Sequence, residues 1–244
     1  KVWIIGHIPP CVDSFHYNLL WEQQYIDNYL VVLSKYQDII KAQFFGHTHT
    51  DEYRLLTVSS ETSLEETSTS DSSSLAWMET ASTPMLLVGA ISPVYHGNPS
   101  FREVWFDSDS FEVVDWVVYS AILNEVNNDP NNDLDWYTLY QLSEAYDMTS
   151  ANNSEFRRFS ESLLYNEDAF NVFYTNFHAD CFSNGNGDTG DCYSYSSCDL
   201  NCRIKQICVL YHGQSYETFS KCLSCNVFND IYENFNSNDI QQHV

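Results

Sequence analysis

"QFFGHTHTDEY", residues 43–53, sets two imidazoles one residue apart, directly after a glycine and at the end of an apolar run. Neutral imidazole is the commonest protein ligand for zinc and similar ions. In an extended loop, residues two apart point to the same side, so His47 and His49 can face a common ligand. Gly46 is expected to supply the tight turn at the strand end. A second Gly-His occurs upstream in "VWIIGHIPP" (2–10), where Pro9 and Pro10 stiffen the chain after His7. Between the two, "NLLWEQQYIDNYLVVLSKYQDII" (18–40) carries apolar residues mostly at helical spacing and predicts one long or two short amphipathic helices. Strand, helix and strand make a βαβ unit. That places both Gly-His turns at the carboxyl ends of strands, where α/β sheets build their sites.

A lone Gly-His at a strand end is more often a hydrogen-bonded histidine than a ligand, whereas G-H-T-H after an apolar run is a sharper signal. His7, His47 and His49 together would be half of a two-metal site. Two ions roughly 3.5–4 Å apart suit displacement at phosphorus, because they stabilise both the attacking and the leaving oxygen. His16, His96, His178, His212 and His243 have no partner at ligand spacing and read as surface or satisfied residues.

Working outward, residues 59–80 are mostly Ser, Thr and acid and read as a disordered surface insertion. Strand patterns resume at 84–91, and runs at 101–106 and 111–119 flank "DSDS" as a hairpin. After a turn-rich junction near residue 127, "DLDWYTLYQLSEAYDM" (133–148) has acids first and apolar spacing suited to a helix, and 154–179 predicts one or two more. The expected layout is an α/β part over 1–126 and a helical, cysteine-rich part over 127–244.

Acidic residues outnumber basic ones by 34 to 10, a net charge of −24, which excludes nucleic acid as a partner on electrostatic grounds. No apolar run approaches the length of a membrane span. Seven of the eight cysteines lie between Cys181 and Cys225, which reads as a disulfide framework formed in an oxidising compartment. A cysteine–zinc knot is the competing reading, but Cys222/Cys225 has no matching second C-x-x-C pair. A sequon at Asn152 points to N-glycosylation.

"GHIPP" followed some thirty-five residues later by "AQFFGHTHTDEY" resembles the last two metal-binding motifs of the calcineurin-like metallophosphoesterases. More narrowly, it resembles the acid sphingomyelinase and acid sphingomyelinase-like phosphodiesterase family. "NYLVVLSKYQDIIKAQ", "NPSFREVWFD" and "CDLNCRIKQIC" are similar to further family segments; residues 59–80, the 11–20 stretch and the last twenty or so lack a counterpart. The resemblance implies the C-terminal half of a metallophosphoesterase β-sandwich flanked by helices, then a helical disulfide-rich domain. It implies two zinc ions, His7 and His47 holding one and His49 helping to hold the other. A metal-bridging hydroxide would attack a phosphodiester, either sphingomyelin or a nucleotide, in a lysosomal or extracellular protein.

The same resemblance puts Tyr95 at the substrate entrance. It pairs Cys198 with Cys202 and Cys208 with Cys222 and gives Cys11 an upstream partner; Cys181–Cys192 is expected from their nearness in sequence alone. The family's D-x-H, G-D and G-N-H motifs, which supply a bridging aspartate, an asparagine ligand and the general-acid histidine, do not precede GHIPP; the "GDTGD" at 187–191 reads as a turn. The chain is therefore expected to be a fragment or processed product, lacking the N-terminal half of the catalytic domain and inactive alone. The alternatives are a nucleotide phosphodiesterase of the same family and a non-catalytic, secreted, cysteine-stapled binding protein.

Overall fold

In the computed structural model of the chain, the described residues are 1–58, 83–95, 97–123, 131, 133–181 and 198–224. The Ser/Thr-rich insertion, the GDTGD loop, His96, His243, Cys192 and Cys225 lie outside them.

The expected βαβ unit is present. β1 (Val2–Ile5) runs into α1 (Gln23–Tyr36) and then β2 (Ile40–Phe45). β1 and β2 pair in parallel, with Trp3 opposite Ala42 and Ile5 opposite Phe44. β4 (Met85–Leu87) adds in parallel to β2, and the short β3 (Glu52–Arg54) returns antiparallel to β4, giving the order β1-β2-β4-β3. A second, antiparallel sheet has the order β5-β6-β7, from Ser100–Phe106, Val113–Ser120 and Tyr137–Gln141.

β2 buries Ile40, Ala42, Gln43 and Phe45, with Lys41 and Phe44 partly buried, as in a strand covered on both faces. One face meets α1 through Leu33, which packs with Ile40, Phe45, Leu56, Met85 and Leu87. On the other face Ala42, Tyr53 and Leu86 join Trp116, Val118 and Tyr140 of the second sheet and a run of helical phenylalanines, among them Phe156, Phe159, Phe173 and Phe177. That core draws on both sides of residue 126.

The helix expected over 133–148 is instead β7 followed by the single-turn α2 (Leu142–Ala145). Tyr137, Thr138 and Tyr140 favour a pleated, half-buried surface, and β6 offers an edge on which Val118 faces Tyr140. Asp115 then fixes the strand-to-helix turn, accepting from Gln141 Nε2 at 2.6 Å and from the Ser143 hydroxyl at 2.7 Å. Tertiary pairing overrides a helical spacing that only a few residues carried.

The 154–179 region forms two helices, α3 (Asn153–Tyr165) and α4 (Glu167–Phe177). Asn166 breaks the run and caps the second by accepting from Ala169 N at 3.1 Å. The sequon residue Asn152 is exposed and caps α3 by accepting from Glu155 N at 3.0 Å. Two C-terminal helices, α5 (Leu200–His212) and α6 (Tyr216–Leu223), are joined by Cys208–Cys222, while Cys198–Cys202 spans the entry to α5. Closing the 14-residue separation between Cys208 and Cys222 contributes about 3 kcal/mol in the chain-entropy picture. Cys181 is buried and disulfide-bonded, its expected partner Cys192 lying outside the described residues. Among the described residues no helix is long and apolar enough to cross a membrane.

Two histidines in the C-terminal half are held neutral by burial. His178 is pushed down to about 3 and His212 to about 4. In the unfolded chain both protonate near 6.5, so below that pH the unfolded state binds the extra protons and the fold weakens. For His178 the limit is about 1.4 kcal/mol per pH unit. Burial raises the Asp51 carboxyl, which works in the opposite sense. Urea midpoints are expected to fall steadily from pH 6.5 to 4, and His178→Gln to flatten that slope. A level or rising midpoint over this range contradicts the assignment.

Candidate metal centre

The two Gly-His turns stand side by side because the strands that carry them end at the same level. Gly6 N donates to Phe44 O at 2.9 Å, and one step further on Gly46 N donates to His7 O at 3.0 Å. The His7 and His47 rings lie edge to face with centroids 5.3 Å apart. His49 is close enough for both to act on it electrostatically. Its own ring meets Tyr95 edge-on, centroids 4.8 Å apart. The structure thus brings His7, His47 and His49 to one sheet edge as a pair plus one, with Tyr95 against the third.

The backbone of this turn is unusual in a way the sequence did not announce. Gly46 does not adopt a positive φ; His47 and His49 do, at 73° and 61°. A non-glycine residue in that region costs roughly 1–2 kcal/mol and persists only where its surroundings over-determine it. The glycine at which space is decisive is Gly6. A Cβ there would fall 2.4 Å from Phe45 Cε1, whereas one on Gly46 would meet His7 Nδ1 at an ordinary 3.8 Å.

Alternation divides the turn into two faces. His47 and His49 are half-buried, while Thr48 and Thr50 are 5% and 3% exposed. The Thr50 hydroxyl stands 2.9 Å from that of Thr48 and donates to Glu52 Oε1 at 2.7 Å. Asp51 turns to the second sheet, accepting from Arg102 Nη2 and from the Tyr140 hydroxyl, each at 2.7 Å, and Asp51 N donates to Phe177 O at 3.2 Å. Arg102 also stacks its guanidinium 4.1 Å from the Trp116 ring. Sequence reasoning missed these buried charges. The signal available was "DEYR", three charged residues where a strand should be apolar.

Burial, the largest influence, lowers the His49 imidazole; a hydrogen bond to the Ser92 backbone opposes this, and the two neighbouring imidazoles lower it further. At neutral pH the ring is in its ligand-competent form. Its Nδ1 is buried with no hydrogen-bond partner, the kind of orphaned atom that calls for an occupant. Zinc prefers four ligands, with imidazole bonds of about 2.0–2.1 Å. With ring centroids 5.3 Å apart, His7 and His47 are near enough to serve a common ion, and His49 lies within electrostatic reach of both. Among the described residues no group of three His, Cys, Asp or Glu closes around a single point. The donor set is therefore chemically suited to zinc and partial.

His16 is exposed beside Asp13, and His178 is buried among Tyr174 and Phe177. Neither joins the cluster.

No family model matches the chain. It is 28% identical to sphingomyelinase phosphodiesterase D of Dictyostelium discoideum over 73% of its length, covering 38% of that protein. It is 25% identical to mouse acid sphingomyelinase-like phosphodiesterase 3b over 91% of its length, covering 44% of that protein. It is also 25% identical to a human cyclic GMP-AMP phosphodiesterase, with the same coverages. The chain is thus similar to the acid sphingomyelinase-like phosphodiesterases, and it spans less than half the length of these curated relatives.

The crowding at the two glycines is testable. Gly6→Ala is expected to destabilise the fold by about 1–3 kcal/mol through overpacking against Phe45, and Gly46→Ala by less than about 1 kcal/mol. Chemical denaturation of both variants measures this. Equal losses would mean that the Phe45 ring yields and that the strand ends are not rigidly spaced.

Proposed function

We propose that the chain supplies the His7, His47 and His49 ligands of a zinc-dependent phosphodiesterase centre. The observation that carries this reading is the convergence of the two Gly-His turns, with His7 and His47 rings 5.3 Å apart and a buried, partnerless Nδ1 on His49. The names of the relatives support phosphodiester hydrolysis as the reaction class.

When bound, zinc supplies positive charge that polarises phosphoryl oxygens and stabilises developing negative charge. The chain's own residues hold and orient. His7 and His47 would hold one ion, and His49, kept neutral by burial, would help to hold the second. Tyr95, 53% exposed with its ring against His49, lies at the mouth and offers an aromatic edge to the substrate. Sphingomyelin is the first substrate reading, because most of the relatives are named as sphingomyelinases or sphingomyelinase-like enzymes. The cyclic dinucleotide phosphodiesterase among them, at the same identity, favours a nucleotide diester as the second.

A pair-plus-one donor set does not bridge two ions, and two-metal displacement requires both to be fixed. The rest of the ligands belong, on this reading, to protein packed against β1. Among the described residues that strand is the edge on the parallel side of the sheet, an arrangement normally covered, yet Ile5 is 78% and Val2 46% exposed. The disulfides require an oxidising compartment. Of the lysosomal and extracellular settings, the buried neutral His178 and His212 favour the less acidic one. N-glycosylation at the exposed Asn152 accords with either.

The 244-residue chain is expected to bind about one zinc per molecule and to show no turnover of bis-(p-nitrophenyl) phosphate above buffer. His47→Ala is expected to lower zinc affinity at least about tenfold. Metal analysis after equilibrium dialysis and a chromogenic assay check both. Robust turnover by the isolated chain, or zinc retained when all three histidines are alanine, would overturn the reading.

A further inference from the structure

Glu52 and Arg54 form an ion pair in which both side chains are 0% exposed, Arg54 Nη1 donating to Glu52 Oε2 at 2.7 Å. Burying two charges is costly, and well-packed apolar residues often stabilise a fold as well or better. The pair's position shows what it adds. Glu52 Oε1 accepts from Thr50, on the turn that bears His47 and His49, and from the Ser14 hydroxyl at 3.0 Å, on the segment that follows His7. Arg54 reaches that same segment from the other side: Nη2 donates to Val12 O at 3.5 Å, and the guanidinium lies against the buried Cys11 thiol. Both turns are therefore moored to one pair of charges.

The mooring has a rigid backing. Gly213, after α5, accepts from Val12 N at 2.6 Å, and a Cβ on it would stand 3.3 Å from Arg54 Cδ and Nε. Leu55 N donates to Leu210 O at 2.8 Å, fixing the strand beyond Arg54 to the same helix. On the turn itself, the contact runs from Glu52 through Thr50 to Thr48, the residue between the two histidines with positive φ. The buried threonines flank and separate the half-buried histidines, so fixing the threonines restrains the backbone that carries the imidazoles.

We propose that the buried Glu52–Arg54 pair, acting through Thr50 and Thr48 on one side and through Ser14, Cys11 and Val12 on the other, is the strut that sets the spacing of the two imidazole-bearing turns. Glu52, Arg54 and Thr50 are then positioning residues for metal binding. The inference rests on the reading of His7, His47 and His49 as ligands. It treats Glu52 as tied up in the strut and not as a ligand itself. Partners that orient ligating side chains typically matter about 10–100-fold to metal affinity.

Cobalt(II) titration of the full chain separates the strut from the ligands, because the ion reports both affinity and coordination geometry in its visible absorption. Thr50→Val, which cuts the link and leaves the ion pair whole, is expected to weaken Co²⁺ binding about tenfold and to alter the band. Glu52→Gln should do the same, and Thr50→Ser, which keeps the hydroxyl, should stay close to the unmodified chain. Tyr53→Phe is the structural control. It removes the buried hydrogen bond from Tyr53 to Ser160, is expected to lower stability, and should leave Co²⁺ affinity unchanged. Folding of each variant is checked by circular dichroism. Unmodified affinity and spectrum in folded Thr50→Val would overturn the strut while leaving the ligand assignment intact. Failure of the unmodified chain to bind Co²⁺ in a His47-dependent way would overturn the ligand assignment, and the strut with it.

Discussion

The parallel register of β1 on β2 is the constraint from which the rest follows. Because Ile5 pairs with Phe44, both strands run out at one height, and the hydrogen bonds from Gly6 to Phe44 and from Gly46 to His7 carry the ladder into the turns. A shift of one residue would move His7 to the other side of the sheet relative to His47. Register is held by burial. Ala42, Phe45 and Leu86 each serve one of the two core layers, and Phe45 lies so close over Gly6 that no larger residue fits there without displacement. The position of the imidazoles is thus a consequence of how a hydrophobic sheet packs.

Around that register the molecule places its charges with economy. The side chains of Asp51, Glu52, Arg54 and Arg102 are all nearly inaccessible, and they lie within or beside the histidine turn. Asp51 ties the turn to the second sheet through Arg102 and Tyr140, and Glu52 ties it to the segment after His7. The turn's left-handed residues tolerate their strain because both of its flanks are fixed in this way. Outside this region, the C-terminal helices contribute their weight through aromatic packing and the Cys208–Cys222 bond.

Much of this was readable from the residues. The βαβ unit followed from apolar runs and helical spacing, and the two Gly-His turns followed from glycine at each strand end. The two described disulfides followed only from likeness to a family, since spacing alone permits many pairings. β7 was hidden because Leu139 and Leu142 mimic a helical stripe, and only the free edge of β6 decides the matter. The buried charges were hidden for a related reason. "DEYR" looks like a solvated exit from the turn until Tyr140, Arg102 and Ser14, far away in sequence, supply partners. Nor could composition show that His47 and His49, and not Gly46, take the strained backbone.

The central claim is that His7 and His47 hold one ion together while His49 stands apart. Nitrogen-15 spectra of the histidine rings during a zinc titration of the intact chain test it most directly. The account predicts that ring nitrogens of His7 and His47 shift together with the first equivalent, His49 responding separately, and that His16, His178 and His212 do not move. Zinc uptake that leaves the His7 and His47 nitrogens unchanged, or moves only one of them, would contradict it.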